Sequence, residues 1–393
     1  MEFPERFANL PDYAFPRLRA LLAPHEGGGE PVDLTIGEPR HAFPAWLGEE
    51  LAANLGTFGK YPPNEGSAPL RAAITGWIGR RYGVTVDPET RIAAANGTRE
   101  ALFNACLAIS PETKRGRRPA VLMPNPFYQV YAVAALAAGA DPVYLPAVRE
   151  TGFLPDLDAL APDLLDRTTV VYLCSPANPQ GAVASEDYLA RLLALAERHD
   201  FTVFLDECYS EIWRDAPPPG GLAVAAATGA DPERVMVFNS LSKRSNVPGL
   251  RSGFMAGGPG AMARLKRFRS YQSAPVPGPL QAVSARLWAD EAHVTENRAL
   301  YVAKYAAADR ILGNVPGYRA PEGGFFLWLP VAEGEVAAVR LWSAAGVRVL
   351  PGAYLARDDA GGNPGRGYIR VAMVAPADEM ERGLAAIRDT LYG

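Results

Sequence analysis

The sequence predicts an α/β protein with a mainly parallel, doubly wound sheet, followed by a smaller α+β unit. Three observations carry this reading. From about residue 91, short apolar runs alternate with longer amphipathic segments. The apolar runs lack polar alternation, as expected of strands covered on both faces. Beyond about residue 290 the rhythm changes to a long helix and a few strands in another order. With 393 residues the chain has room for one large domain and a smaller one. The expected division is an N-terminal segment 1–45, a large domain 46–290 and a small C-terminal domain 291–393.

In chain order, the first forty residues show no βα rhythm, and HEGGGEP (25–31) lacks the strand and helix that would make it a phosphate loop. It reads as a surface turn, in a segment expected to pack on the C-terminal unit. The strands predicted next are IAAAN (92–96), AVLMP (120–124), VVYLC (170–174), FTVFLD (201–206) and VMVFNS (235–240). Helices are expected from Arg99, near Tyr131 and from Ser185 to Asp200. In the last of these Leu189, Leu192, Leu193 and Ala196 share one face, with Arg191 and Glu197 off it. The C-terminal unit should hold a helix over about 291–312, a strand GGFFLWLP (323–330), a helix over 336–345, strands near Val347 and Tyr368, and a closing helix from Ala377.

Composition narrows the function. Hydrophobic residues at 48% and charged residues at 21% are a normal globular mix, which excludes a largely disordered or collagen-like chain. Lys+Arg 39 against Asp+Glu 43, without a block of five like charges, leaves no electrostatic footprint for nucleic acid. Cys106, Cys174 and Cys208 lie far apart without a CxxC pair, so neither disulfides nor zinc are signalled and a reducing, cytoplasmic setting fits. His25, His41, His199 and His293 never fall at metal-ligand spacing, so no metal is expected. MEFPERF carries acid and proline where a signal peptide needs a basic start, and no apolar run reaches membrane-spanning length. Neither export nor membrane insertion is expected.

Open parallel sheets bind ligands at the carboxyl ends of their strands. After IAAAN comes Gly97-Thr98-Arg99-Glu100, and after VVYLC comes Ser175 to Gly181 with Asn178. Asp206 and Tyr209 follow FTVFL; Ser240, Ser242, Lys243 and Arg251 follow VMVFN. These groups suit a cofactor with a phosphate, a basic ring nitrogen, a phenolic oxygen and an electrophilic carbonyl, and pyridoxal 5'-phosphate has all four. Lys243 can form a Schiff base with its aldehyde, while Asp206 keeps the ring nitrogen protonated so that the ring accepts electrons. Asn178 and Tyr209 would hydrogen-bond the phenolic oxygen. The turn Gly97-Thr98 at a helix N-terminus, with Ser240 and Arg251, supplies the phosphate site. Tyr128 would lie against the ring face. Cys208 is expected to turn away from the cofactor as a small buried filler, and Phe325, Phe326 and Trp328 to be core. Tyr13 and Phe15 either cap the substrate or simply pack.

The segments Gly97 to Ala101, Ser175 to Gly181, Asp206 to Tyr209, Ser240 to Lys243 and Gly249 to Gly253 resemble those of the class I/II, fold-type I aminotransferases, in order, spacing and residue type. Gly37-Glu38-Pro39, Lys60-Tyr61-Pro62 and Arg370 extend the resemblance over essentially the whole chain. It implies a large domain on a seven-stranded-type sheet, amino-acid and 2-oxo-acid substrates, and a homodimer with shared active sites. Tyr61 would reach the partner subunit's cofactor phosphate, Gly37 would belong to a turn over the substrate, and Arg370 would clamp the α-carboxylate. Within the family NPFYQVY, DECYSEIW, SLSKRSNVPGLRSGF and NPGRGYIRVAMVA are similar to strings of the bacterial succinyldiaminopimelate transaminases. That likeness implies N-succinyl-LL-2,6-diaminopimelate as amino donor and 2-oxoglutarate as acceptor, with Arg40 and Arg99 as candidates for the remote carboxylates. A sister aminotransferase for aspartate, alanine, an aromatic amino acid or another ω-acylated diamine would share every cofactor residue. A lyase or synthase on the same fold, or a regulator's effector domain, are the remaining alternatives.

Overall fold

In the computed structural model, which describes residues 4–8, 10–359 and 361–393, seven strands form one sheet. Their spatial order is Ile92–Ala95, Gly253–Gly257, Val235–Ser240, Thr202–Asp206, Thr168–Cys174, Ala120–Asn125, Asp141–Pro146. Gly253–Gly257 alone runs antiparallel to its neighbours; the pairs among the other strands are parallel. The four interior strands from Ala120–Asn125 to Val235–Ser240 are buried at every position, which is why their sequences read as unbroken apolar runs.

Two strands of this sheet have no counterpart among those expected. Asp141–Pro146 is an edge strand with prolines at both ends and half-buried residues, a composition that reads as loop. Gly253–Gly257 is bounded by glycines, and Gly253 is crowded enough that a Cβ would meet the Asn239 carbonyl at 2.6 Å.

Helices cover both faces. Helix Glu186–His199 starts on Ser185, whose hydroxyl accepts the Tyr188 N–H at 3.1 Å. Glu186 and Asp187 occupy its first turn, Arg198 and His199 its last, which complements the helix dipole. Leu189, Leu192, Leu193 and Ala196 are buried in the cluster that includes Val171, Val203 and Val237. On the other face Ala101, Leu102, Tyr131 and Ala135 pack over Tyr172, Phe204 and Phe238.

The C-terminal unit is a three-stranded antiparallel sheet, Leu350–Pro351, Tyr368–Ala372 and Phe326–Pro330, with helices Ala292–Leu312, Gly334–Ala345 and Ala377–Leu391. The N-terminal segment joins it through a parallel pairing of Val32–Asp33 with Val347–Arg348. Helix Ala14–Leu22 packs beside Leu350 and Tyr354. Residues 25–31 of the glycine-rich turn are exposed on this surface. No helix among the described residues is long and apolar enough to cross a membrane. The fold thus opens a cleft between the carboxyl ends of the large sheet and the N-terminal and C-terminal segments.

Candidate active site

The cleft holds a cavity of about 350 Å³. Of the residues singled out in the sequence, Gly37, Thr98, Arg99, Tyr128, Asn178, Asp206, Tyr209, Ser240, Ser242, Lys243, Arg251 and Arg370 line it. They come from five strand ends of the large sheet and from two segments outside it, so only the folded chain assembles them.

Asp206 ends its strand at the cavity floor and is 5% exposed. Tyr131 donates to its Oδ2 at 2.8 Å and the Cys208 N–H to its Oδ1 at 3.3 Å. Burial pushes this carboxyl up, while the bonds from Cys208 and Tyr131 and the charge of Lys243 pull it back. A cation brought against its free edge would settle it as the anion. Lys243 belongs to the single turn Leu241–Arg244 and its Nζ donates to the Gly37 carbonyl. Burial lowers this amine to about 8, so an appreciable share is the neutral nucleophile near pH 8. Asn178 Oδ1 accepts from Arg370 at 3.1 Å, and Tyr209 packs edge-on against Phe325 at 5.3 Å.

Gly97, with φ of 83°, caps helix Thr98–Ile109, and a Cβ there would collide with the Arg251 guanidinium. Arg251 donates to the carbonyls of Pro248 at 2.9 Å and Asn96 at 3.1 Å, which aims it across the helix N-terminus. Ser240 caps the lysine turn, and its hydroxyl and that of Thr98 both lie beside Cys208 Sγ, at 3.8 and 3.1 Å. A helix end, two serines, a threonine and an arginine are the kind of donor set a phosphate cradle requires. Tyr128 borders the cavity with its hydroxyl accepting from Arg99 Nε at 2.8 Å. The donor set fits pyridoxal phosphate: phosphate donors, the Asp206 carboxyl and the Lys243 amine line one cavity.

On the opposite wall Arg370, 5% exposed, lies over the Phe326 ring at 4.2 Å. It donates to Asn178 and to the Thr35 carbonyl at 2.8 Å, and its Nε has no partner. Among the described residues it has no ion pair, and burial lowers it to about 10. A guanidinium kept dry without a carboxylate of its own has the planar fork and the unspent charge that a carboxylate ligand would match.

Three placements differ from the sequence reading. Cys208 faces the cavity, its Sγ 3.1 Å from the Thr98 hydroxyl. It lies past the strand end, where strand alternation no longer applies; burial pushes its thiol well up, as suits an inert filler. Phe326 lines the cavity beneath Arg370 instead of only filling the core, whereas Phe325 and Trp328 are core. Arg40 is not brought to the cavity: it pairs with Glu379 at 3.0 Å on the surface of the small unit. Tyr61 is fully exposed, away from this chain's own cavity. Tyr13 and Phe15 both line the mouth. The sequence reading passed over Tyr131 and Glu38; Tyr131 follows Tyr128 by one helical turn, the signal that could have found it.

Fold and site define a pyridoxal-phosphate-dependent transferase. Residues 30–387 match the family model "Aminotransferase class I and II". The LL-diaminopimelate aminotransferase of Dehalococcoides mccartyi is 31% identical, over 98% of each chain. A solved aminotransferase from Neisseria meningitidis superposes with a TM-score of 0.94 at 37% identity, covering 98% of this chain and 99% of that one. A probable N-succinyldiaminopimelate aminotransferase from Thermus thermophilus superposes with a TM-score of 0.83 at 26% identity, covering 96% of this chain and 100% of that one. The chain belongs to the class I and II aminotransferases and is a pyridoxal-phosphate-dependent aminotransferase.

Proposed function

We propose that the enzyme transfers the amino group of N-succinyl-LL-2,6-diaminopimelate to 2-oxoglutarate, in the cytoplasm, as a homodimer. The observation that carries an α-amino acid in this cavity is Arg370, a buried cation without a carboxylate partner among the described residues, facing Lys243 and Asp206 across the cavity. Bound there, the cofactor would act as an electron sink for the substrate Cα. Arg370 would fix the α-carboxylate, Asp206 would hold its negative charge at the ring nitrogen, and Asn178 and Tyr209 would donate to the phenolic oxygen. Lys243, once its nitrogen is free, would carry the proton to and from Cα. The cradle at Gly97, Thr98, Ser240, Ser242 and Arg251 would keep the ring from sliding as this happens.

A long tricarboxylic donor is supported by the cavity's extension past Tyr128 to Arg99, Tyr13 and Phe15, where a cation sits at the mouth. Remote carboxylates could rest against Arg99 or remain in water, which avoids the cost of burying unpaired charge. The Thermus thermophilus neighbour bears the succinylated substrate in its name. A second reading, free LL-diaminopimelate, is favoured by the name of the curated relatives at 31% identity. The homodimer is supported by Tyr61, Phe58 and Tyr271, exposed at 101%, 61% and 90% on this chain alone. The cytoplasmic setting is supported by three buried free cysteines.

The experiment is a donor screen with 2-oxoglutarate, reading kcat/KM from glutamate formed. The succinylated compound should lead. A tenfold lead for LL-diaminopimelate selects the second reading, and a tenfold lead for aspartate or an aromatic amino acid overturns both.

A further inference from the structure

Helix Ala292–Leu312 reaches the back of the lysine turn without entering the cavity, His293 at Ser245 Oγ, 2.8 Å away, and Asn297 at Lys243 itself. Asn297, 5% exposed, meets three elements at once. Its Oδ1 accepts from Asn246 Nδ2 at 3.1 Å and lies 2.9 Å from His41 Nδ1. Its Nδ2 donates to the carbonyl of Lys243 at 3.4 Å. Asn246 Nδ2 also donates to the Ala42 carbonyl at 3.2 Å, and its backbone is left-handed with φ of 55°. At the other end of the same segment, the Gly37 carbonyl accepts from Lys243 Nζ. The stretch from Gly37 to Ala42 is therefore tied to Lys243 twice, at its side chain and, through Asn297, at its main chain. His41 is further held by the Tyr301 ring at 4.6 Å, one turn along the helix.

We propose that Asn297 is a positioning residue for Lys243: it fixes the lysine's main chain in register with the segment that closes over the cavity. An amide is required because its two ends do different work. The oxygen receives two donors, which places the His41 proton on Nδ1, and the nitrogen gives one to a carbonyl. Neither a carboxylate nor a hydrocarbon can do both. Misplacing a reacting atom by a fraction of an ångström slows a step without abolishing it, by about 10- to 100-fold.

The inference rests on Lys243 as the residue that bonds the cofactor, and its test is independent of the amino-acid substrate. In purified apoenzyme, the Lys243 amine attacks the aldehyde of added pyridoxal phosphate; a C=N bond forms and water leaves. The rate is followed by absorbance, and mass spectrometry after borohydride reduction locates the bond. In Asn297→Ala the rate should fall about tenfold, and amide exchange over residues 37–42 should accelerate. Asn297→Asp keeps the oxygen that receives His41 and Asn246 but opposes the Lys243 carbonyl. It should keep exchange protection closer to the parent and still form the bond slowly. Should the alanine variant not fold, the isosteric aspartate variant decides alone. Attachment within twofold of the parent in a folded variant, whatever its melting temperature, overturns the proposal. A bond found on a lysine other than Lys243 refutes instead the assignment beneath it.

Discussion

Tyr131 donates its phenolic hydrogen to Asp206 at 2.8 Å, while its ring lies parallel to Tyr172 with centroids 4.4 Å apart. The stack fixes the ring, the ring fixes the hydroxyl, and the hydroxyl fixes the carboxylate. Burial pushes Tyr131 well above its ordinary range, so it stays a donor at every working pH. Tyr131→Phe removes one of the bonds that offset the burial of Asp206 and should raise that carboxyl further. A hydrogen bond to a charged group contributes about 1.5–3 kcal/mol, so kcat should drop about 10- to 100-fold with the fold intact. Rates within twofold of the parent would show that the backbone bond from Cys208 suffices.

Arg370→Lys keeps the charge and loses the planar fork. Lysine cannot reach Asn178, the Thr35 carbonyl and an incoming carboxylate together. Since every amino-acid and oxo-acid substrate presents the same carboxylate, kcat/KM should fall about 10- to 100-fold for donor and acceptor alike. A loss confined to one of the two would assign Arg370 to a side chain instead.

Much of this was legible in the sequence, for a physical reason. Asp206 and Ser240 end, and Lys243 follows, strands buried on both faces, whose apolar runs are unmistakable, and ligands gather at such strand ends. The edge strand Asp141–Pro146 was not legible because two prolines and partial exposure erase the pattern. Tyr131 escaped because a buried aromatic on a helix looks the same whether it packs or donates, unless its one-turn spacing from Tyr128 is read. Arg40 illustrates the converse: nearness in sequence to the Gly37 turn placed it at the substrate, but the chain turns it toward Glu379.

The exposed aromatic Tyr61 calls for a test that separates a shared site from mere association. Dimers of Lys243→Ala and of Tyr61→Phe are each expected to be impaired. After subunit exchange, a mixed dimer would hold one site with both defects and one with neither. Random exchange should restore up to about a quarter of the sites. Activity no higher than that of the two parents, with exchange proven by mass, would place Tyr61 outside the partner's site.

Glu207, beside Asp206 but behind the sheet, is 3% exposed and accepts from Tyr82 at 3.0 Å and Gly221 N–H at 2.8 Å. Burial raises its carboxyl to about 7. An acid raised by folding binds more protons folded than unfolded, so its contribution to stability falls as pH rises from about 4.5 to about 7. In urea unfolding, the parent should lose up to about 3 kcal/mol relative to Glu207→Gln across that window. A difference that stays flat with pH would mean that the carboxylate is ionised throughout.

Lys243 carries the opposite sign. Folding lowers its amine to about 8, so below that pH a charge is held where it is poorly solvated. In the apoenzyme this destabilisation should be full below pH 8, fade as pH rises, and vanish above about 10.5, the value of a free lysine. Lys243→Met removes the charge, retains the length of the side chain and fits beside Phe325, whose ring lies 5.2 Å from the ammonium. The variant should therefore be inactive and, as apoenzyme at pH 7, more stable than the parent by about 1–3 kcal/mol, a trade expected where a site holds a strained group for chemistry. The bond from Nζ to the Gly37 carbonyl opposes this and sets the lower end of the range. Parallel denaturation curves at pH 7 and pH 10 measure both the gain and its loss. A methionine variant less stable than the parent at pH 7 would show that the tie to Gly37 outweighs the desolvation of the charge.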